Sequence, residues 1–486
     1  MPELTLQDAY ELAVRHHRAG ELEQAESLYR QILAVAPDHP NARVDLGTAL
    51  RQQGRFEEAL VELERVMSAR PDLPEVHAAM GNFHLARRDF APAAAAFRRA
   101  LDLLPGFAIA RNNLGRALQE MGDVDGAIAE YQRVLRLEAT FADAHLNLGT
   151  AYWEKGLFSE AGREYERALA LQPADSRTRM NLGLLWLLDG DFARGWEAFE
   201  ARREGIADKF TPPAGQPLWD GSPLNGRTIL LHNEQGLGDT IQFIRYAPMV
   251  ASRRGRVVVR CQTELVRLLN GQLGIDQVIG PDVPLPAFDG YCPLPSLPRI
   301  FATDQSTIPA GVPYLSPDST IVSRWQRRLS ESGGKLNVGF VWAGNPANPS
   351  DRRRSLHLSA LSILSRMPGI RWVTLQKGPA AEQAKTAAGE LDLIDWTAEL
   401  HDLADTAALV ASLDLVISVD TAVAHLAGAL GKPVWVLIPF VPDWRWMLGR
   451  PDSPWYPTMR LFRQSEVGNW KQPIEQIAGE LNHLVL

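Results

Sequence analysis

A polar turn between two apolar segments carries residue types suited to binding phosphate. Asp420 and Thr421 follow the apolar run 415–419, and Ala422 and His425 stand in the small-residue helix predicted next. A second apolar strand follows this helix, and in such βαβ units ligands bind beyond the carboxyl ends of the strands. Backbone N–H groups at the start of the helix and the Thr421 hydroxyl would then receive phosphate oxygens. The alternative interpretation is that the two polar residues only cap the helix.

A second polar loop precedes a helix earlier in the chain. Gly236 and Gly238 follow the apolar strand predicted at 228–232 and stand just before Asp239. Glycine lets a backbone approach a ligand closely, so Asp239 is placed to project into a cleft, although it too would serve as a helix cap. The two glycines do not complete the G-x-G-x-x-G pattern of dinucleotide sites, so the loop alone does not define a ligand.

Cationic side chains cluster after another predicted strand. Arg352, Arg353 and Arg354 end a loop that also holds Asn345, and a helix is predicted to follow near residue 359. Guanidinium groups bind phosphate in pairs of hydrogen bonds, so this loop is a candidate diphosphate site, with a solvated charged surface as the alternative. Lys377, at the end of the next predicted strand, is also placed to meet phosphate.

Apolar strands alternating with helical stretches predict two α/β domains with mainly parallel sheets. We expect a linker at 206–226, a first α/β domain at 227–317, an interdomain connection at 318–335 and a second α/β domain at 336–486. The final helix, roughly 473–484, is expected to pack against the first α/β domain. The predicted strands are 228–232, 257–261, 276–279, one near 291, 337–342, 371–376, 415–419 and one directly after Pro433.

Residues 1–205 contain an internal repeat of 34 residues. In each unit a small residue stands where two helices would approach closely, a large one would fill the gap, and a proline usually ends the second helix. These units resemble tetratricopeptide repeats, about six in number, which stack into a superhelix with a groove that commonly binds peptides. The glycines in register are Gly47, Gly81, Gly115, Gly149 and Gly183.

Asparagines recur with the same period at Asn113, Asn147 and Asn181. An amide side chain both donates and accepts hydrogen bonds, which suits gripping an extended peptide backbone. A similar asparagine ladder lines the groove of the O-linked N-acetylglucosamine transferases, although Asp45 and Ala79 depart from it in the earlier units. In the alternative interpretation these amides bond to neighbouring helices.

Charge and composition limit the classes of partner that we expect this chain to bind. Residues 1–205 hold 24 Lys and Arg against 32 Asp and Glu, a balance of −8, and the remainder holds 26 of each. An acidic first half is a poor surface for nucleic acid. No apolar run approaches the length of a membrane span, and the two cysteines fit a reducing compartment, so we expect a cytoplasmic protein. Cysteine and histidine lack the spacing of a structural zinc site.

Residues 226–486 resemble a two-domain GT-B glycosyltransferase of the heptosyltransferase-like family. The first-domain loop ends in Gly238-Asp239 before a helix and Pro248, as in that family. The second domain carries the signature D-[TS]-x-x-x-H-L-A-x-A-x-G-K-P. Its residues here are Asp420, Thr421, His425, Leu426, Ala427, Ala429, Gly431, Lys432 and Pro433.

This resemblance implies roles for the two loops. Asp239 would be the catalytic base that takes a proton from the acceptor hydroxyl. The Asp420 turn, including Thr421, Ala422 and His425, would hold the diphosphate and adjoining sugar of the donor. A basic residue after the first strand of the second domain contacts phosphate in the family. The candidates for that role here are Arg352, Arg354 and Lys377, with Asn345 as a further donor-binding candidate.

The repeats distinguish this chain from heptosyltransferases that act on lipopolysaccharide. Repeats fused to a GT-B unit look instead like transferases that modify proteins, including bacterial flagellin glycosyltransferases. We therefore expect an inverting glycosyltransferase that uses a nucleotide-sugar donor, a polypeptide acceptor recruited by the repeats, and neither metal nor cofactor. One alternative is a glycan or lipid-linked acceptor. The other is a non-catalytic peptide-binding scaffold with a degenerate GT-B half.

Overall fold

The computed structural model describes residues 5–205, 210, 213, 215–331, 336–348, 351–386 and 393–485. The chain divides into two compact units, Met1–Thr178 and Arg179–Leu486. The division falls inside helix α11 (Ser176–Asp189), so the last predicted repeat belongs to the second unit.

The first unit consists of paired antiparallel helices of nearly constant length. Each pair fits the predicted 34-residue repeat, and consecutive helices pack on each other throughout. The helices are α1 (Leu6–Arg18), α2 (Leu22–Val35), α3 (Pro40–Gln52), α4 (Phe56–Ala69), α5 (Pro74–Ala86), α6 (Phe90–Leu103), α7 (Ala108–Glu120), α8 (Val124–Leu137), α9 (Ala142–Glu154) and α10 (Phe158–Leu171).

The periodic glycines are explained by close packing inside each helix pair. A Cβ atom added to Gly115 would lie 2.5 Å from the Tyr131 ring, and one added to Gly149 would lie 2.7 Å from the Tyr165 ring. These distances are shorter than real Cβ contacts, so any larger residue would force the helices apart. Small and large residues therefore recur together because each pair of helices uses the same contact.

A recurring polar contact ties three of the helix pairs to the turn before them. Arg111 donates to Glu130 at 2.8 Å and to the carbonyl of Pro105 at 2.8 Å. The same positions elsewhere hold Arg43 with Glu62 and Pro37, and His145 with Glu164 and Ala139. The repeat thus encodes a polar clamp as well as an apolar contact.

The second unit contains two separate parallel sheets. The first has the order β3-β2-β1-β4, and the second has the order β10-β9-β8-β5-β6-β7. All pairings within them are parallel. The strands are β1 (Thr228–His232), β2 (Arg256–Arg260), β3 (Gln277–Ile279), β4 (Gly290–Pro293), β5 (Leu336–Val341), β6 (Ile370–Thr374), β7 (Leu393–Asp395), β8 (Leu415–Val419), β9 (Val434–Ile438) and β10 (Met459–Arg463).

The helices of this unit precede, connect or follow the strands, and parallel pairing requires such crossover connections. After α11 they are α12 (Phe192–Phe199), α13 (Arg202–Gly205), α14 (Leu237–Phe243), α15 (Ala247–Ala251), α16 (Thr263–Leu269), α17 (Leu297–Ile300), α18 (Ser319–Glu331), α19 (Asp351–Arg354), α20 (Glu382–Thr386), α21 (Leu403–Ala411), α22 (Ala422–Ala429) and α23 (Lys471–Val485). An all-helical repeat array followed by two parallel sheets confirms the predicted fold class.

The final helix corrects one expectation. Residues Ile474, Ile477 and Leu481 of α23 are buried in the core of the second sheet, with β5 and β8 residues. The sequence pattern predicts instead that this helix packs against the first α/β domain. Its apolar face covers the sheet from which its own chain emerges, because β10 delivers it directly to that surface.

Helices α12 and α13 are embedded in the second unit by aromatic and ionic contacts. The Trp196 ring meets those of Trp444 and Trp455 edge-on at centroid distances of 5.2 and 6.2 Å, and its indole N–H donates to the carbonyl of Thr303. Arg202, buried at 2% exposure, donates to Glu234 at 2.8 Å. Glu234 belongs to the loop that leads into α14.

Candidate active site

The Asp239 carboxylate is fixed at the start of α14. Its Oδ2 accepts the backbone N–H of Gly236 at 2.9 Å, across the first turn of the helix. The loop before α14 is fixed by a further hydrogen bond, which the Gln262 amide donates to the carbonyl of Gln235 at 2.9 Å. Asp239 therefore does cap its helix, as the alternative interpretation held, but this uses only one of its two oxygens.

The second Asp239 oxygen accepts a hydrogen bond from Arg445, which lies in the loop between β9 and β10. Arg445 is buried, and its guanidinium also bonds to Gln242 and Asp443. Burial raises the pKa of Asp239 above its ordinary value, and the adjacent positive charge of Arg445 partly offsets that rise. The side chain of Asp239 retains 21% exposure, so solvent reaches it.

Gly238 lies where the predicted loop meets helix α22. A Cβ atom on Gly238 would lie 2.9 Å from the His425 ring and 3.6 Å from the Ala422 Cα. The two motifs that the sequence places 181 positions apart, at Asp239 and Asp420, are thus brought to one junction between the sheets. Glycine is required at 238 by this close approach, while Gly236 serves as the helix N-cap.

Asp420 follows β8 and is buried to 9% exposure. Burial raises its pKa to about 6, and the negative charge of Asp443 adds to the rise. The positive charges of Arg354 and Arg445 act in the opposite direction. The charges of both arginines therefore act on Asp420, which lies at the carboxyl end of β8.

The start of α22 follows Asp420 directly and carries the hydroxyl of Thr421. Thr421 is the N-cap residue, but its side chain makes no cap hydrogen bond to the helix and instead pairs with Ser418 at 3.0 Å. The capping alternative therefore does not account for the Thr421 hydroxyl. Ala422 opens the helix and is half-buried.

His425 is locked in place by aromatic neighbours. Its Nδ1 lies 2.9 Å from the Tyr456 hydroxyl, and its ring stacks on Trp446 at 5.4 Å. Burial and the nearby arginines hold the pKa of His425 well below its ordinary value, so the imidazole is neutral at physiological pH. A neutral ring carries one N–H group, and with Nδ1 bonded to Tyr456 it can donate a hydrogen bond from Nε2.

Arg354 is the member of the arginine run that reaches the site. It belongs to α19 and donates to Asp351 at 3.2 Å, and its charge lowers the pKa of both Asp420 and His425. A Cβ atom on Gly344 would lie 2.8 Å from the Arg354 guanidinium, so the loop after β5 passes directly beneath this side chain.

The remaining cationic and amide candidates have other contacts. The Lys377 ammonium donates to the carbonyl of Leu400, and the Asn345 side chain accepts the N–H of Ala347 at 3.0 Å, forming a local turn. Arg352 is exposed and Arg353 is half-buried on α19. The donor-binding roles of these four residues stay predictions. Of the three arginines, Arg354 is the one whose charge acts on Asp420.

The asparagines in register form hydrogen bonds across neighbouring repeats. Asn113 donates to Asn82 at 2.8 Å, and Asn147 donates to Asn112 at 3.0 Å. Asn82 and Asn112 do not share the 34-residue register, which is why periodicity alone missed them. Asn181 stands half-exposed on α11, in the second unit. The pattern fits the alternative in which amides bond to neighbouring helices, and peptide binding stays a prediction.

Sequence reasoning also misses Arg445 and Asp443. Both stand in an aromatic stretch, PDWRWM, whose tryptophans are typical of packing. The available signal is an arginine between two tryptophans, because burying a charge is costly unless another residue of the fold pairs with it. That partner, Asp239, is 206 positions away.

The described residues contain neither a clustered set of metal ligands nor a membrane-spanning helix. Among these residues no group of three or more His, Cys, Asp or Glu side chains converges as a metal site would require. None of the helices described here combines the length and apolarity needed to cross a bilayer.

Family models match both parts of the chain. Tetratricopeptide repeat models match residues 16–83, 116–156 and 146–205. The model of glycosyltransferase family 9 (heptosyltransferase) matches residues 372–437. That segment contains Asp420, Thr421 and His425 and ends before Arg445.

Individual proteins resemble the chain over parts of its length. Protein FlbA of Caulobacter vibrioides is 27% identical over 318 residues, which cover 60% of this chain and 52% of FlbA. The chain thus spans about half the length of this curated relative. TTC0263, a thermophilic TPR protein of Thermus thermophilus, is 21% identical, with 38% of this chain and 100% of that one covered and a TM-score of 0.35. PilW, a type IV pilus biogenesis factor, is 19% identical, with coverages of 41% and 93% and a TM-score of 0.37.

Proposed function

Tetratricopeptide repeats and a glycosyltransferase family 9 segment stand in this one chain, and from that premise we propose that the protein is an inverting glycosyltransferase. It moves a sugar from a nucleotide-sugar donor to a hydroxyl of a polypeptide acceptor recruited by the repeats. Its two α/β domains act as a GT-B pair with the reaction between them.

The observation that carries this proposal is the meeting of Asp239 with the Asp420 turn. Gly238 packs on His425 so closely that the two loops share one junction. One loop supplies a carboxylate with residual solvent access, and the other supplies a helix start with an arginine facing it. A base opposite an anion-binding turn is the arrangement that sugar transfer from a diphosphate requires.

The proposed reaction is a single displacement. Asp239 accepts the proton of the acceptor hydroxyl as that oxygen forms a bond to the anomeric carbon. The bond between the anomeric carbon and the diphosphate oxygen breaks at the same time, which inverts the configuration. Arg354 and the start of α22 meet the negative charge that develops on the departing diphosphate. Because these groups supply the positive charge, we expect transfer to persist in EDTA.

The assignment of the base is tested by Asp239→Asn in the full-length chain. Asparagine keeps the size and the helix cap but accepts no proton, so we expect transfer to fall at least about 100-fold. Nucleoside diphosphate should still raise the melting temperature, because the donor turn is unchanged.

The matched control is Asp220→Asn. Asp220 also caps a neighbouring backbone N–H, at 2.9 Å from Ser222, but it is exposed and outside the site. Equal activity in both variants would remove Asp239 from the mechanism.

The acceptor class is tested at the asparagines of the repeats. We expect Asn113→Ala combined with Asn147→Ala to raise the KM for a protein acceptor and to leave donor hydrolysis unchanged. The control is Gln31→Ala, whose amide bonds only within its own exposed helix surface, to Ser27 at 3.2 Å. A chain that transfers sugar equally well to a glycan, with no effect of the double substitution, would favour the glycan or lipid-linked alternative.

A further inference from the structure

We propose that Arg445 is a positioning residue that holds the Asp239 carboxylate ionised and aimed at the acceptor, rather than a ligand of the donor. This inference rests on the proposed function, because it assigns a role to Asp239 as the base. It deepens that function by naming a residue outside the segment that matches the glycosyltransferase family model.

The geometry gives Arg445 little freedom. Its three guanidinium nitrogens donate to Asp239, Gln242 and Asp443, so each has a carboxylate or amide oxygen as partner. The guanidinium also lies over the Trp444 ring at 4.4 Å. These bonds engage three of the five N–H groups of the guanidinium and fix its orientation towards Asp239. The Arg445 side chain is only 9% exposed, which leaves it little access to a phosphate. Arg354, which has an exposed fraction of 20%, is the better phosphate ligand.

The contact also fixes the direction of the base. Gly236 holds one Asp239 oxygen from the α14 side, and Arg445 holds the other from the second sheet. With both oxygens anchored the carboxylate cannot rotate about its terminal bond, and the remaining lone pairs keep one orientation. Such preorganisation costs nothing at the moment of proton transfer.

The ionisable groups around Asp239 lie on two elements. Arg445 and Asp443 act on it from the loop between β9 and β10, and neutral His425 of α22 lies against the neighbouring Gly238. Arg445 is the cation in contact with Asp239, and its loss would leave this carboxylate beside Asp443 with no compensating charge in contact. The Asp239 proton would then be held more tightly, so the base would be protonated over a wider range of pH.

The test compares Arg445→Gln with Arg445→Lys in the full-length protein. For Arg445→Gln we expect the acidic limb of the kcat/KM profile to move to higher pH by at least about one unit, so that the loss of activity is greater at pH 6 than at pH 8.5. Arg445→Lys, which keeps the charge, should show little of this shift. The KM for the donor should change less than about threefold in both. An unshifted acidic limb, or a large rise in donor KM with an unshifted limb, would overturn the proposal.

A second measurement needs no substrate and separates this inference from the proposed function. Urea unfolding of the wild type, Asp239→Asn, Arg445→Gln and the double variant forms a thermodynamic cycle. We expect a coupling that is larger at pH 8 than at pH 5, because a proton taken up by Asp239 as the pH falls weakens its ion pair with Arg445. Coupling without a shift in the activity profile would refute the role of Asp239 as the base, whereas no coupling at either pH would refute the role of Arg445.

Discussion

At the junction between the two sheets, the half-buried carboxylate of Asp239 and the buried one of Asp420 are held in different ways. Asp239 is anchored by direct hydrogen bonds from Gly236 and Arg445, whereas Asp420 is shielded by burial and senses its arginines through charge alone. Asp420 is therefore a strained ionisable group in the free protein. A donor that brings hydroxyl groups would relieve that strain, which ties donor binding to the cost of burying the carboxylate.

Asp420→Asn should therefore stabilise the free protein. The folded-state pKa of about 6 lies above the ordinary value of 3.8, so the folded protein binds the proton more readily between these pH values. Stability from this group accordingly falls as the pH rises through that window. We expect a gain of about 1–3 kcal/mol at pH 7.5 that shrinks towards zero near pH 4, measured by urea unfolding.

Asp318→Asn provides a control of opposite sign. Hydrogen bonds from Thr320 hold the pKa of Asp318 below its ordinary value, so its ionised form is favoured in the folded state. Its replacement should lower stability at pH 7.5. A loss of stability in Asp420→Asn at that pH would contradict the account of a strained carboxylate.

Among elements, the helix pairs of the repeats were predictable and some strands were not. The 34-residue register of glycine and aromatic residues specifies where the two helices of a pair meet. The contact joins residues that are close in sequence and repeats in successive units, so it can be read from the sequence. Strand β10 was missed because it lies at the edge of its sheet and carries arginines at Arg460 and Arg463, which conceal its apolar residues. Strand β7 was missed because it has only three residues and none is buried.

The glycine contact predicts the effect of Gly115→Ala. Its new Cβ would lie 2.5 Å from the Tyr131 ring, so α7 and α8 must separate, and we expect a loss of about 1–3 kcal/mol. Gly106→Ala in the same repeat is the matched control, because a Cβ there meets nothing within 4 Å. Urea unfolding followed by helical circular dichroism measures both. Equal midpoints for the two variants would refute the role of this contact.

For the whole molecule, helices α12 and α13 belong with the α/β sheets. Trp196 on α12 packs on Trp444 and Trp455, and Arg202 on α13 bonds to Glu234 in the loop before α14. Sequence periodicity assigns these helices to the repeats, because their pattern continues the register up to Gly195. Their burial depends on contacts with residues far away along the chain, which no local pattern reveals. A transferase fragment beginning at residue 206 would therefore lose part of its own core.

Trp196→Ala tests this arrangement. Removing a buried tryptophan leaves a cavity, and we expect a loss of about 3–5 kcal/mol in the second unit. Hydrogen exchange should rise in peptides covering residues 440–456, which hold its aromatic partners. Trp153→Ala on α9 is the control, because Trp153 contacts Phe158 within the first unit. Exchange that is unchanged around 440–456 would show that α12 does not support this loop.

The cluster of Trp196, Trp444 and Trp455 also has an optical consequence. Indole rings that lie edge-on within 5 to 7 Å couple their electronic transitions, because the transition dipoles of neighbouring rings interact at this range. Coupled rings of fixed relative orientation produce a paired positive and negative band in ultraviolet circular dichroism. This pair of bands would report whether α12 is packed on the loop that carries Arg445, and it needs neither donor nor acceptor. It would also let the loss of this contact during unfolding be followed separately from the helical signal of the repeats.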